Sequence, residues 1–411
     1  MRIGIFTNIY LPIISGVVTI IENYRQELER QGHQVFIFAA ENRGYKDENP
    51  RVFRFKSIDL NYKISYPLPI ISSPRISRII KKINLDIVHT QHFFVCGQIA
   101  WYYSKKFNIP LVFTQHTRYE YYTHYVPYLP QEISKPLALS LCAVYANSCD
   151  SVIAPTEDIK NSLLKYKVKT PITVLPSGID LSRFFQASGV AIREKYNIDK
   201  NKCVLLTVAR LAPEKNISFL LKSFKKASLK NPNIYFIIIG DGPFKKALIS
   251  ESDKLGLKNK IIFTGEVDWQ KIPSFYKAAD IFLFSSFSEV QPTVISEAMA
   301  SGLPVVAINA NGIKDAVING ENGILTPNNV SEFSQTIIKL ASNGELRKKI
   351  SEKAEKMANN FSAEKATEKL INLYKRLIIQ KRENRKLKNK SFHLIKDKFI
   401  NFKFDEIINQ K

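Results

Sequence analysis

The sequence predicts an α/β protein made of two Rossmann-like domains whose parallel sheets face a cleft. Three observations predict it. Short apolar runs alternate with helical patterns along the chain, as in a parallel sheet with crossover helices. The 411 residues, 45% of them hydrophobic, suffice for two separate cores. Between the two series of runs lies Val174-Leu175-Pro176-Ser177-Gly178-Ile179-Asp180, a Pro/Gly break after a short strand. The domains are therefore expected at 1–177 and 178–379, with a basic tail at 380–411.

Strands are expected near 2–6, 34–39, 52–55, 86–90, 111–114 and 151–154 in the first half. The second half offers 203–209, 234–239, 261–264, 281–284, 304–307 and 323–325. In such halves the ligand-binding residues belong at strand C-termini, facing the cleft. Met1 to Phe6 enter the first strand directly and show no signal-peptide layout. No apolar run reaches the roughly 18 residues of a membrane span. The four cysteines form no C-x-x-C pair and have no His at zinc spacing. A reduced cytosolic protein is the expectation.

After the first strand, Leu11 to Val17 contain Ser15 and Gly16 and lead into a helix near Val17. Small residues there let backbone approach a phosphate or a sugar. Residues 74–83 carry Ile at i, i+3, i+4 and i+7, with Arg75, Arg78, Lys81 and Lys82 between. A crossover helix with Ile on the sheet explains this pattern. So does an interfacial helix whose basic flanks meet anionic lipid headgroups. The strand ending at Thr114 places His116 at the cleft, where a neutral imidazole can hydrogen-bond a sugar hydroxyl. A dense aromatic loop follows, with Tyr119, Tyr122, His124 and Tyr125. Aromatics with polar tips suit a membrane–water boundary or a sugar-stacking surface.

In the second half, Thr207 to Asn216 leave a strand and enter a helix. Arg210 as a fork and Lys215 as a point charge are placed to clamp a diphosphate. Gly240-Asp241-Gly242-Pro243 follows the next strand and gives room for a nucleoside. It lacks the G-x-G-x-x-G order, so a dinucleotide site is disfavoured. Thr264 to Val267 follow the third strand, within reach of a base. Then Ile281 to Phe284 form a strand, and Glu289-Val290-Gln291-Pro292-Thr293 lead into a helix containing Glu297. Pro292 suits the first helical position. The helix start exposes unpaired N–H groups and the positive dipole end, an anion site. Two carboxylates beside an anion site suit a ligand with both hydroxyls and phosphate, such as a nucleotide-sugar. No Asp-x-Asp motif is present, so no metal cofactor is expected. Ser362 caps a last helix running to about Ile379, able to cross back to the first domain.

The net charge is +23, from 60 basic and 37 acidic residues. Residues 375–411 carry 12 basic and 4 acidic side chains, a far higher density than the rest. The tail reads as a solvated or surface-binding arm. A nucleic-acid binder would explain this charge through phosphate contacts. It would leave the Glu pair unexplained, and no nucleic-acid motif is present. A glycosidase also flanks a sugar with two carboxylates, but it has no use for Arg210, Lys215 or a helix-end anion site.

Together Ser15-Gly16, His116, Pro176 to Asp180, Arg210 with Glu214-Lys215-Asn216, Gly240-Asp241-Gly242 and Glu289 with Glu297 to Val305 resemble the retaining glycosyltransferases of family 4, which have the GT-B fold. The resemblance covers roughly residues 1–379. It implies an acceptor-binding first domain and a donor-binding second domain. Arg210 and Lys215 would bind the donor diphosphate, Glu297 the ribose diol, and Glu289 the sugar hydroxyls near C3 and C4. His116 would contact the sugar near C6, with Gly16, Gly240, Gly242, Gln291, Pro292 and Thr293 completing the donor site. With no evident nucleophile on the far face, the front-face mechanism proposed for that family fits. Two departures touch the donor site: Ser15 replaces a glycine, and Val290-Gln291-Pro292 replaces a Phe-Gly-Leu-like run. His116 to Glu120, Tyr122 to Tyr125 and the basic helix are similar to membrane-surface diacylglycerol glucosyltransferases. That likeness implies UDP-glucose as co-substrate, a lipid acceptor, an anionic membrane partner and a peripheral place on the inner membrane face. A mannosyl donor or a soluble or cell-envelope saccharide acceptor is the alternative.

Overall fold

The computed structural model describes the chain except residues 14, 43, 60–66, 70–73, 120–129, 288 and 409–411. Tyr122, His124 and Tyr125 thus lie outside the described residues. Fifteen strands are seen among those described: β1 (Arg2–Thr7), β2 (Gln34–Ala40), β3 (Val52–Phe55), β4 (Ser57–Asp59), β5 (Pro67–Pro69), β6 (Ile87–Thr90), β7 (Leu111–Thr114), β8 (Ser151–Ala154), β9 (Ile172–Val174), β10 (Cys203–Val208), β11 (Ile234–Ile239), β12 (Ile261–Gly265), β13 (Ile281–Phe284), β14 (Val305–Ile308) and β15 (Gly323–Thr326). The first sheet has the order β3-β2-β1-β6-β7-β8-β9 and the second β12-β11-β10-β13-β14-β15. Both are parallel throughout. β4 and β5 make a separate antiparallel pair.

Strands β6, β7, β8, β13 and β14 are buried at every position. This is why β13 and β14 read as unbroken apolar runs: helices cover both faces of a parallel sheet. One face of the first sheet stacks Phe6, Phe38 and Phe55 against Ile76, Ile80, Cys96 and Tyr145. The other packs Ile3, Ile5 and Ile37 against Leu28, Leu370 and Tyr374. None of the four cysteines forms a disulfide, and all four are buried.

The chain order reverses between β1 and β6 in the first sheet and between β10 and β13 in the second. Crossovers on either side of such a point leave opposite ways, so the strand ends there open a crevice. The candidate residues cluster at these two crevices.

Two chain segments cross between the domains side by side. Ile179 N donates to Phe361 O and Ala363 N to Ile179 O, both at 2.8 Å. A Cβ on Gly178 would lie 2.4 Å from Ala363 Cα, so only glycine lets the segments touch. The last helix, Ala363–Ile408, then packs Ala366, Leu370, Tyr374 and Ile378 onto the first domain.

Three expectations change here. The last helix continues past Ile379 to Ile408. Its Lys381 Nζ lies 2.8 Å from Asp150 Oδ1, docking that turn on the first domain. The basic helix Pro74–Ile83 buries Ile76 and Ile80 in the core, with Ile79 and Ile83 packed beside them. Its apolar stripe is therefore not available to lipid, while Arg75, Arg78, Lys81 and Lys82 stand exposed. Tyr119 is buried, edge-on to Phe93 and Phe94, because its ring belongs to the first domain's core cluster. It is not a surface aromatic. Among the described residues no helix is long and apolar enough to cross a membrane.

Candidate active site

Because β10 and β13 are neighbours, the loops leaving them meet. Ser285 Oγ donates to Lys215 O at 2.9 Å and to Asn216 O at 3.1 Å. Phe287 N donates to Glu214 O at 3.1 Å. These bonds hold the short turn Pro213–Lys215 against the segment that carries Glu289. As a result Lys215 Nζ lies 2.6 Å from Glu289 Oε1, with the two side chains 20% and 14% exposed. The expected phosphate-binding cation and the expected sugar-binding carboxylate are thus one ion pair. A lysine ammonium has three donors, so it can hold Glu289 and a phosphate oxygen together.

Arg210 is exposed, and its side chain forms no hydrogen bond or ion pair among the described residues. Its loop is set by the two glycines of the next crossover. Gly240 has φ +131°, and a Cβ there would lie 2.0 Å from Ala209 O. A Cβ on Gly242 would lie 2.4 Å from Leu211 O. Both glycines thus bring backbone against the Arg210 loop, a nearer reason than nucleoside space.

Pro292 caps the helix Thr293–Ala300 instead of opening it, one residue off the expected position. Its own missing N–H costs nothing there. Thr293 and Val294 begin the helix, and N–H groups in a first turn have no helical partner. Gln291 turns its side chain onto the hinge: Ser177 N donates to its Oε1 at 2.7 Å, and its Nε2 donates to Ser177 O at 3.0 Å. Glu297 Oε2 accepts from the Tyr276 hydroxyl at 2.8 Å. Burial pushes the Glu297 carboxyl above its usual range, against the pull of Tyr276 and Arg183. Arg183 stacks over Trp269 at 3.9 Å.

Across the cleft, His116 follows β7, and its Nε2 lies 2.6 Å from Gln91 Oε1. With Nε2 donating, Nδ1 is left as an acceptor. Burial lowers its pKa to about 3, with His92 and His89 adding to the effect. The imidazole is therefore neutral near pH 7, which leaves Nδ1 able to accept from a hydroxyl. Gly16 opens the helix Gly16–Arg30, with nothing within 4 Å of a Cβ placed on it. Ser15, the departure from glycine, works as the N-cap: its Oγ accepts from Val18 N at 3.3 Å.

The two halves meet on the Glu289 loop. Arg118, buried and paired with Asp158, donates from Nε to Glu289 O at 3.3 Å. Thr156 Oγ1 donates to Val290 O at 3.2 Å. Gln91 and Tyr276 escape a reading of the sequence, and Arg118 and Ser177 enter it only as members of longer runs, because each acts through a distant partner. Gly312 escaped it too. A Cβ there would lie 2.1 Å from Glu289 O, and its φ is +78°. The Asn311-Gly312 pair is itself a turn signal that could have marked it. Among the described residues no three His, Cys, Asp or Glu side chains are grouped to hold a metal ion.

The site thus combines cations, a helix start and two differently placed carboxylates, which can hold a phosphorylated, hydroxyl-rich ligand. Comparison with known proteins agrees. Residues 14–183 match the model described as Glycosyltransferase Family 4, and residues 190–357 the one described as Glycosyl transferases group 1. The chain is 34% identical over 402 residues to an alpha-monoglucosyldiacylglycerol synthase of Acholeplasma laidlawii, covering 95% of this chain and 100% of that one. It is 33% identical over 313 residues to the enzyme of that name from Streptococcus pneumoniae, covering 75% and 71%. Among solved structures, sucrose-phosphate synthase from Thermosynechococcus elongatus superposes with a TM-score of 0.76 at 18% identity, over 92% of this chain and 99% of that one. Anabaena Alr3699/HepE in complex with UDP-glucose does so with 0.72 at 19%, over 91% and 99%. This chain belongs to the family 4 glycosyltransferases and has their two-domain GT-B fold.

Proposed function

We propose that this glycosyltransferase moves glucose, with retention of configuration, from UDP-glucose to 1,2-diacylglycerol at the inner face of a membrane. The observation that carries the reading is the likeness over 402 residues to an alpha-monoglucosyldiacylglycerol synthase, aligned along that enzyme's whole length.

The site chemistry supports it. As the bond from glucose C1 to the diphosphate oxygen breaks, negative charge grows on the diphosphate. Arg210, Lys215 and the N–H groups of the Thr293 turn stabilise that charge in a partly desolvated place. The acceptor hydroxyl bonds to C1 on the face the diphosphate leaves, and its proton passes to the departing phosphate oxygen. Glu289, fixed by Lys215, takes sugar hydroxyls. Glu297 takes the ribose diol, and His116 Nδ1 accepts from a further sugar hydroxyl. The nucleotide-sugar is co-substrate, and no metal takes part.

Purified enzyme given UDP-glucose, UDP-galactose or GDP-mannose, with diacylglycerol micelles or soluble saccharides, tests this. The expected product is α-glucosyldiacylglycerol, formed equally well with chelator. A β-linked product, or sugar transfer to soluble acceptors alone, would refute it.

A further inference from the structure

β1 and β6 are neighbours at the point where the first sheet reverses its strand order, so the segments that leave them line one crevice. Gln91 N donates to Phe6 O at 2.9 Å, which carries the pairing one residue past β6. Thr90 Oγ1 then donates to His92 O at 2.8 Å and turns the chain. The His92 ring comes back over the end of β1, where Asn8 N donates to its Nδ1 at 3.3 Å. Cys96 N donates to Asn8 Oδ1 at 3.0 Å and ties the two segments together.

A backbone N–H can only donate. Nδ1 of His92 is therefore the acceptor, and the ring proton sits on Nε2. Burial lowers the pKa of this ring to about 4 and keeps it neutral. His92 is 9% exposed, and its Nε2 has no hydrogen-bond partner among the described residues. A nearly buried N–H without a partner is a place for an acceptor atom.

The walls say which kind of molecule brings that atom. Neither residues 7–21 nor residues 91–104 include an Asp, Glu, Lys or Arg, in a chain where 24% of residues are charged. Phe93 is buried, and Phe94 packs on it at 4.0 Å with 43% of its own surface exposed, just ahead of the helix Val95–Phe107. A phosphorylated acceptor would find no cation on these segments. A neutral molecule with an apolar body and a few oxygens suits them. Among the oxygens of a diacylglycerol, the hydroxyl must bond to C1 and release its proton to the departing phosphate. An ester carbonyl only accepts, which matches an N–H that only donates.

We infer that His92 Nε2 binds an ester carbonyl of the lipid acceptor, so that the enzyme selects acyl-linked over alkyl-linked glycerolipids. Phe94 lies beside the chain as it leaves the crevice. The inference rests on the diacylglycerol reading and adds to it the contact that selects this acceptor.

The test uses the full-length enzyme with UDP-glucose and detergent-dispersed 1,2-dioleoylglycerol or 1,2-di-O-oleylglycerol. The ether analogue keeps both chains and the hydroxyl but has no carbonyl. One neutral hydrogen bond should favour the ester by roughly three- to tenfold in KM. His92→Asn carries an oxygen in the place of Nδ1, so it keeps the bond from Asn8 N, but its side chain stops short of the place of Nε2. It should raise KM for the ester by the same factor and leave KM for the ether unchanged, with the melting temperature and UDP affinity of the wild type. His92→Gln, whose amide nitrogen reaches the place of Nε2, should keep the ester preference. A wild-type enzyme indifferent to the linkage, or an Asn variant that still prefers the ester, would overturn the inference while lipid glucosylation continued. Weaker UDP binding by the Asn variant would also overturn it, because His92 would then belong to the donor site. Transfer to neither lipid by the wild type would refute the diacylglycerol reading itself, and this inference with it.

Discussion

Lys215 and Glu289 should behave as one unit in a double-mutant cycle. At 2.6 Å and mostly out of water, their bond is a charge-assisted one, worth about 1.5–3 kcal/mol. Lys215 has a second task on the donor diphosphate, of similar size. Lys215→Ala therefore loses roughly 3–6 kcal/mol of transition-state stabilisation, or about 10²–10⁴ in kcat/KM at 1.36 kcal/mol per decade. Glu289→Gln keeps an oxygen acceptor and loses only the charge, so about tenfold. The double variant should be less impaired than the two losses multiplied, by about tenfold or more, because the shared bond can be lost only once. Calorimetry with UDP separates the tasks: Lys215→Ala should weaken UDP binding, and Glu289→Gln should not. Thermal melts check the fold. If Lys215→Ala bound UDP like the wild type and the two losses multiplied freely, the pair would be a bystander bridge and the assignment wrong.

Three further outcomes follow from named contacts. His89, His92 and His116 have folded pKa values lowered by burial from 6.5 to about 3, 4 and 3. Their contribution to stability is full above pH 6.5 and is lost as pH falls, because the unfolded chain takes up protons first. The three together should cost roughly 6 kcal/mol by pH 5, measured by denaturant titration; a flat profile from pH 6.5 to 5 would contradict their burial as neutral bases. Gln291→Leu orphans the Ser177 N–H and should cut turnover about tenfold with UDP affinity unchanged; equal loss of UDP binding would place Gln291 in the donor site instead. Arg118→Lys keeps the charge but not the planar Nε–H to Glu289 O, so it should slow transfer severalfold while melting like the wild type, and an unchanged rate would remove Arg118 from the site's support.

What was legible in the sequence was local. Ile281 to Phe284 announce a strand because a doubly covered parallel strand has no polar face to show. The periodicity of Ile76, Ile79, Ile80 and Ile83 announced an amphipathic helix but could not say what covers the apolar side; the core does. Lys215 and Glu289 each stand out in the sequence as residues of interest. Their pairing across 74 positions does not, since a loop's sequence does not state where a second loop ends. Pro292 was misplaced by one because cap and first turn differ only in backbone angles.

The departure at Val290-Gln291-Pro292 acquires a physical meaning from these long-range contacts. Glu289, Val290 and Gln291 are consecutive, and each is held from across the cleft or from the hinge, by Arg118, Thr156 and Ser177 respectively. The first two grips use backbone oxygens, which any residue supplies. The third uses the Gln291 side chain, and a glycine in that place has none. Val290 meanwhile packs on the first domain's core cluster. A run that seemed to weaken the donor-site pattern thus fastens the loop bearing Glu289 to the hinge that both domains share. The loop bearing Glu289 therefore cannot leave the first domain and the hinge without releasing all four of these hydrogen bonds.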